Sequence, residues 1–225
     1  MPRMTRRRAI GAGVAGIAAV GGYLTVARGR STAGDPAAVG AGAMDDTLAP
    51  PTLGDGAVGV AVFTDFACPA CRAFSTRITP QLRSGHVAAG HITYVHRDFP
   101  LDFHEWARPV ANAARAIQDE AGTAAFWSFS EAAFAEAAFV RDPTYSYDLI
   151  ERLGDRVADA GAVVRTAAAD RVYTERIDAD KTLGERLGVQ GTPTVFVDGE
   201  LISTDGVNSW SAYYRAIDDA ITARL

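Results

Sequence analysis

Ala57-Val58-Gly59-Val60-Ala61-Val62-Phe63 runs directly into Thr64-Asp65-Phe66-Ala67-Cys68-Pro69-Ala70-Cys71. The first seven residues form a short, partly β-branched apolar run, which predicts a buried strand. Pro69 suits the first turn of a helix, so the two cysteines fall where a strand gives way to a helix. That helix is expected to continue from Arg72 to Leu82, with Pro80 placed to kink it. His91-Ile92-Thr93-Tyr94-Val95-His96 then alternates like a second strand. Strand, helix and strand at this spacing predict a βαβ unit with a parallel pair.

Beyond it, residues 103–185 are almost all helical in character. Alanine-rich segments cover Trp106–Ala121, Ala125–Ala138, Tyr147–Ala160 and Arg165–Arg176, and Phe126, Phe129, Ala133 and Phe134 recur at helical spacing. Thr194-Val195-Phe196-Val197 and Glu200-Leu201-Ile202-Ser203 flank Asp198-Gly199, a strong hairpin turn signal. A last amphipathic helix is expected from Ser209 to Ala223, with Ser209 as its cap. The layout is α/β: βαβ, an inserted helical block at about 103–185, then ββα. The first and last parts together make a small sheet with helices on both faces.

Two cysteines at i and i+3 on a helix start can close a disulfide across one turn. Unpaired backbone N–H groups and the helix dipole there favour an anion, so the Cys68 thiolate is favoured and its pKa is expected to fall. Cys71, one turn in, is shielded and suits a resolving thiol that attacks a mixed disulfide on Cys68. A C-x-x-C is also half of a metal site, but the chain holds no other cysteine. Its four histidines (His86, His91, His96, His104) are scattered around the second strand rather than spaced as ligand pairs, so no metal site is expected. A static structural disulfide gains little from so tight a loop. Gly191-Thr192-Pro193-Thr194 sets a proline just before a buried strand, where a cis Thr192–Pro193 peptide would account for it. The backbone of Thr192 would then face outward, able to pair with an extended substrate chain beside the cysteines.

The whole composition is that of a globular protein: 225 residues, 48% hydrophobic and 22% charged, with a net charge of −5. Two cysteines exclude a disulfide-framework miniprotein and a four-cysteine zinc site. Six of the 22 basic residues precede Ser31 and no acidic residue does, which leaves 16 basic against 27 acidic beyond it. No basic cluster outside the N-terminus marks a nucleic-acid surface.

The N-terminus reads as an address. Arg6-Arg7-Arg8 precedes an apolar run of 18 residues, Ala9 to Val26. Paired arginines ahead of such a run resemble a twin-arginine export signal. As a helix the run would span about 27 Å, a marginal fit to a bilayer core. Residues 1–33 are therefore expected to be a cleaved signal or a retained membrane anchor. Residues 34–56, rich in Gly, Ala, Pro and Asp, read as a flexible linker. The folded domain is expected over residues 57–225.

Four stretches in order resemble one family, the DsbA-like thioredoxin-fold proteins. Phe63 to Cys71 is similar to its active-site strand and helix start, and Tyr94-Val95-His96-Arg97-Asp98-Phe99-Pro100-Leu101 to its second strand. Ala125-Phe126-Trp127-Ser128-Phe129 resembles the aromatic helix of its inserted domain. Leu187 to Gly199 resembles its cis-proline segment and following hairpin. The match covers roughly Ala57 to Leu225. The resemblance implies a thioredoxin fold with an inserted all-helical domain, a nucleophilic Cys68, a resolving Cys71, and a cis Pro193 with Thr192 facing the disulfide. It implies exported protein thiols as substrates, a membrane redox partner and no external cofactor. A monomer is expected, because no added dimerisation segment is present.

Two positions depart from the family pattern. Pro69-Ala70 stands between the cysteines, without the histidine that strongly oxidising relatives carry there. Val62 occupies the position, six residues before the nucleophile, where many thioredoxin-fold proteins hold a buried carboxylate. Asp65 is then either a substitute for that carboxylate or a solvent-facing loop acid. Dithiol oxidase, thiol reductase or isomerase, and a tethered binding module with a structural disulfide remain the functional alternatives.

Overall fold

The computed structural model describes residues 49–136 and 146–225. The signal or anchor segment and most of the linker lie outside the described residues. Five strands form one sheet in the order β1-β3-β2-β4-β5. They are β1 (Thr52–Leu53), β2 (Val58–Thr64), β3 (Ile92–Asp98), β4 (Thr194–Val197) and β5 (Glu200–Leu201). β2 and β3 are parallel, as the crossover predicts, and β4 runs antiparallel to β2. The helices are α1 (Pro69–Arg77), α2 (Thr79–Leu82), α3 (Ala107–Ala135), α4 (Tyr147–Ala158), α5 (Gly161–Asp170), α6 (Thr174–Arg186) and α7 (Trp210–Thr222).

Side chains alternate across the strands, and each set has its own core. Val58, Val60, Val62 and Tyr94 pack with Cys71, Phe74, Phe126, Trp127 and Tyr213 on one side of the sheet. Ala61, Phe63, Val95, Phe99 and Phe196 pack with Leu183 of α6 and with Leu187, its C-cap, on the other. The second cluster explains Gly184. A Cβ there would lie 2.7 Å from a ring carbon of Phe99. Gly184→Ala is therefore expected to destabilise by about 1–3 kcal/mol through overpacking, read as a lower urea midpoint with an unchanged slope.

Several boundaries differ from the sequence expectation. The linker does not extend to Gly56: Thr52 and Leu53 pair with Val95 and Tyr94 as an edge strand. Gln118 Nε2 donates to Ala49 O at 2.8 Å and Trp127 Nε1 to Thr52 O at 2.9 Å, which fastens this segment further. Gly56 serves close approach rather than flexibility, since a Cβ there would sit 2.2 Å from Ile92 N. The helix after the cysteines breaks at Ile78, one residue earlier than Pro80 alone suggests: Pro80 sits in the first turn of α2. A π-helical turn, Arg83–Val87, follows. The expected helix Arg165–Arg176 divides in two, because Arg171 takes a left-handed φ of 55° between α5 and α6. α3 changes direction at Gly122, whose φ of 85° separates the first two expected helices. The end of the second of them, past Glu136, lies outside the described residues. Ser209 caps α7 as expected, its Oγ accepting from Ala212 N at 3.2 Å.

Candidate active site

β2 ends at Thr64, and the turn that follows is tied by Asp65. Its Oδ1 accepts from Ala67 N at 2.7 Å, while its carbonyl accepts from Cys68 N at 3.1 Å. These bonds deliver Cys68 to the N-cap of α1 in an extended conformation, with Pro69 at the first helical position. Cys68 and Cys71 are both free thiols, 6% and 1% exposed respectively. Only Cys68 reaches the surface. In the thiol form its Sγ donates to Thr192 O at 3.5 Å. The Thr192–Pro193 peptide is cis. Residues 124 positions apart in the chain therefore meet at one sulfur.

The two thiols are driven in opposite directions. A hydrogen bond from Cys71 is the largest influence on Cys68; with the Thr192 hydroxyl and the amides of Cys71 and Ala70 it outweighs burial. The Cys68 pKa falls from 9.0 to about 6. Burial, followed by the interaction with Cys68, pushes Cys71 up. Thr192 Oγ1 is buried without another hydrogen-bond partner of regular geometry and lowers both thiols. Alkylation of Cys68 by iodoacetamide is expected to rise with pH through a midpoint near 6 and then level off, since the thiolate is the nucleophile. A midpoint at the unshifted 9.0 would show that Cys71, Thr192 and the amides at the helix start do not act on it.

Asp65 is not a solvent-facing loop acid; it is 1% exposed. Its Oδ2 accepts from Leu101 N at 2.9 Å and is bonded to His104 Nδ1 at 2.8 Å. Burial raises its pKa against these partners. Its side chain points into the turn; its own amide donates to Cys71 Sγ at 3.4 Å. Asp65 thus shapes the loop and holds the second sulfur through the backbone. His104 was not singled out in sequence, because its partner lies 39 positions away. His96 is likewise a site neighbour: it shares a cavity with Cys71 and bonds Asp98 Oδ1 through Nε2 at 2.9 Å. The two-residue spacing of His96 and Asp98 on a strand was the available signal, since it puts both on one face.

The thioredoxin family model matches residues 51–219 of this chain. The chain belongs to that family, as a DsbA-like protein-disulfide oxidoreductase. It is 24% identical over 156 residues to "Disulfide bond formation protein D" of Bacillus subtilis, covering 68% of this chain and 69% of that protein. The crystal structure of oxidised BdbD from Bacillus subtilis superposes with a TM-score of 0.66 at 22% identity, covering 77% of this chain and 91% of the other. A third relative is "Na(+)/H(+) antiporter NhaA 3" of Salinispora tropica, 32% identical over 143 residues. That match takes in 63% of this chain but 20% of the antiporter. No helix among the described residues of the DsbA-like chain is long and apolar enough to cross a membrane.

Proposed function

We propose that this DsbA-like chain is exported and oxidises protein dithiols to disulfides through Cys68 and Cys71. A substrate thiolate attacks the Cys68 sulfur of the oxidised pair, Cys71 leaves, and a second substrate thiol displaces Cys68 from the mixed disulfide. Substrate becomes the disulfide and the enzyme pair becomes the dithiol. Thr192 and Pro193 border the reacting sulfur, and the backbone of Thr192 pairs with the extended substrate. Pro69 sets the helix start, and Ala70 supplies an amide rather than a charged side chain. What supports the direction is the placement of Cys68 at the N-cap of α1 beside Thr192, where Cys71 and the surrounding donors lower its pKa. A stabilised thiolate stabilises the reduced enzyme, which makes its disulfide a stronger oxidant. The arginine cluster ahead of an apolar run supports export. Each turnover leaves the enzyme reduced, so a membrane redox partner must re-oxidise it.

Equilibration of the Cys68–Cys71 pair with glutathione buffers tests this. The expected potential lies well above thioredoxin's, which is about −270 mV, and toward the oxidising end near about −120 mV. A value at thioredoxin's would make the chain a reductase fed with electrons from elsewhere.

A further inference from the structure

Cys71 must lose and regain a proton in every cycle, yet it is buried and has no carboxylate at Val62 to exchange with. The sheet supplies a different group at the same place. Val62 on β2 is in register with His96 on β3, so their side chains share a face of the sheet. Both line a cavity of about 20 Å³ with Cys71, Tyr94, Ser130 and Glu131, room for a single water. His96 is 3% exposed and walled by Phe66, Phe126 and Trp127, with ring centroids 4.9–6.2 Å away.

We propose that His96, oriented by Asp98, exchanges the proton of Cys71 through a water in this cavity. The inference rests on the reading of Cys71 as the resolving thiol. Asp98 Oδ1 lies 2.9 Å from His96 Nε2, while Asp98 Oδ2 accepts from Arg115 Nε at 2.7 Å. A carboxylate held by an arginine is an acceptor, so Nε2 carries a hydrogen toward Asp98 and Nδ1 is the ring nitrogen left to exchange a proton. When Cys68 carries a mixed disulfide, Cys71 S–H passes its proton by way of the water to Nδ1. The Cys71 thiolate attacks the Cys68 sulfur, the Cys68–Cys71 bond forms, the bond to substrate breaks, and the substrate departs as a thiolate. In the reverse direction the imidazolium returns the proton as Cys71 leaves.

The other titratable groups facing this space fit the role less well. Tyr94 donates or accepts at Thr79 and its pKa is pushed up to about 12 by burial. Glu131 is more than half exposed and pairs with Arg83. The charges linked to His96 are Asp98 on its own strand, bonded to it, and Arg115 of α3, bonded in turn to Asp98.

The test uses the reduced protein and an aromatic disulfide, dithiobis-nitrobenzoate. Its first thionitrobenzoate release reports attack by Cys68, and the second reports resolution by Cys71. His96→Gln, which can still donate to Asp98, is expected to slow the second release about 100-fold and leave the first unchanged. An unchanged second release overturns the proposal, as does a slowdown in Glu131→Gln in its place. If the unsubstituted protein gives no second release, the reading of Cys71 itself fails, which separates the two ideas. Ring-nitrogen NMR of the unsubstituted protein is an independent check that needs no variant. A hydrogen on Nε2 is expected for His96; a ring whose only hydrogen is on Nδ1 overturns the assignment.

Discussion

Cys68→Ser is expected to bring disulfide transfer to the uncatalysed rate, and Cys71→Ser to trap the enzyme on its substrate. Serine cannot form a sulfur–sulfur bond, so the first change removes the atom on which every exchange occurs. The structure says why the two variants differ. Cys68 is the cysteine with a path to solvent, at the N-cap of α1, with its thiolate favoured. In Cys71→Ser that sulfur still attacks a substrate disulfide, but no second thiol follows, and the mixed disulfide persists. Cys71 cannot take over in Cys68→Ser, because it is 1% exposed and burial holds it protonated. Intact-mass measurement after mixing with an oxidised peptide resolves the cases: one peptide added to Cys71→Ser, none to Cys68→Ser. Adducts on both variants would mean that the sulfurs are interchangeable. Full activity in Cys71→Ser would leave the pair only a structural part.

The candidate reacting end of the molecule was legible because its parts are local. A strand running into Cys68-Pro69-Ala70-Cys71 fixes the sulfurs at a helix start from neighbouring residues alone, and Gly191-Thr192-Pro193-Thr194 announces its turn in four. The Asp198-Gly199 hairpin and the Ser209 cap are of the same kind. What stayed hidden depends on partners far along the chain. Thr52 and Leu53 look like linker because two residues carry no period; they become a strand only when β3 offers its edge. Asp65 reads as a loop acid until Leu101 and His104 close over it. His96 reads as one of four scattered histidines until the register of β2 and β3 sets it beside Val62. Burial and charge pairing at long separation have no signature in a single sequence. The departure at Val62 was visible, but the side chain that faces the same space was not.

Arg115→Met is expected to destabilise the fold by about 3–5 kcal/mol, the largest effect anticipated for a residue that touches neither sulfur. Arg115 is fully buried in α3, with Nε donating to Asp98 Oδ2 and one terminal nitrogen to Asp180 Oδ2, each at 2.7 Å, and the other to Gln118 Oε1 at 3.1 Å. Arg97 meets the second oxygen of Asp180 at 2.8 Å. Methionine fills much of the volume but leaves two buried carboxylates short of a cation, and an uncompensated buried charge is what makes such a break expensive. The pH dependence separates this cause from a packing defect. Burial alone would push the Asp98 carboxyl up, and Arg115 together with His96 reverses that, holding it well below the ordinary range. Its folded pKa is depressed, so in the native protein its contribution is present above about pH 4, the unfolded value, and is lost as pH falls toward the folded one. Without Arg115 only His96 opposes the burial, so the same carboxyl is expected to rise above its ordinary value, and the penalty then falls on the other side of about pH 4: the variant recovers stability relative to the native protein as the carboxyl protonates. Urea unfolding between pH 4 and 7 reads the difference, which should narrow toward the acid end. A loss that stays constant with pH would assign the effect to packing. Because Asp98 also holds His96 Nε2 at 2.9 Å, this variant should disturb the imidazole beside Cys71 as well. The buried charges would then join the stability of the inserted helices to the chemistry at the sheet.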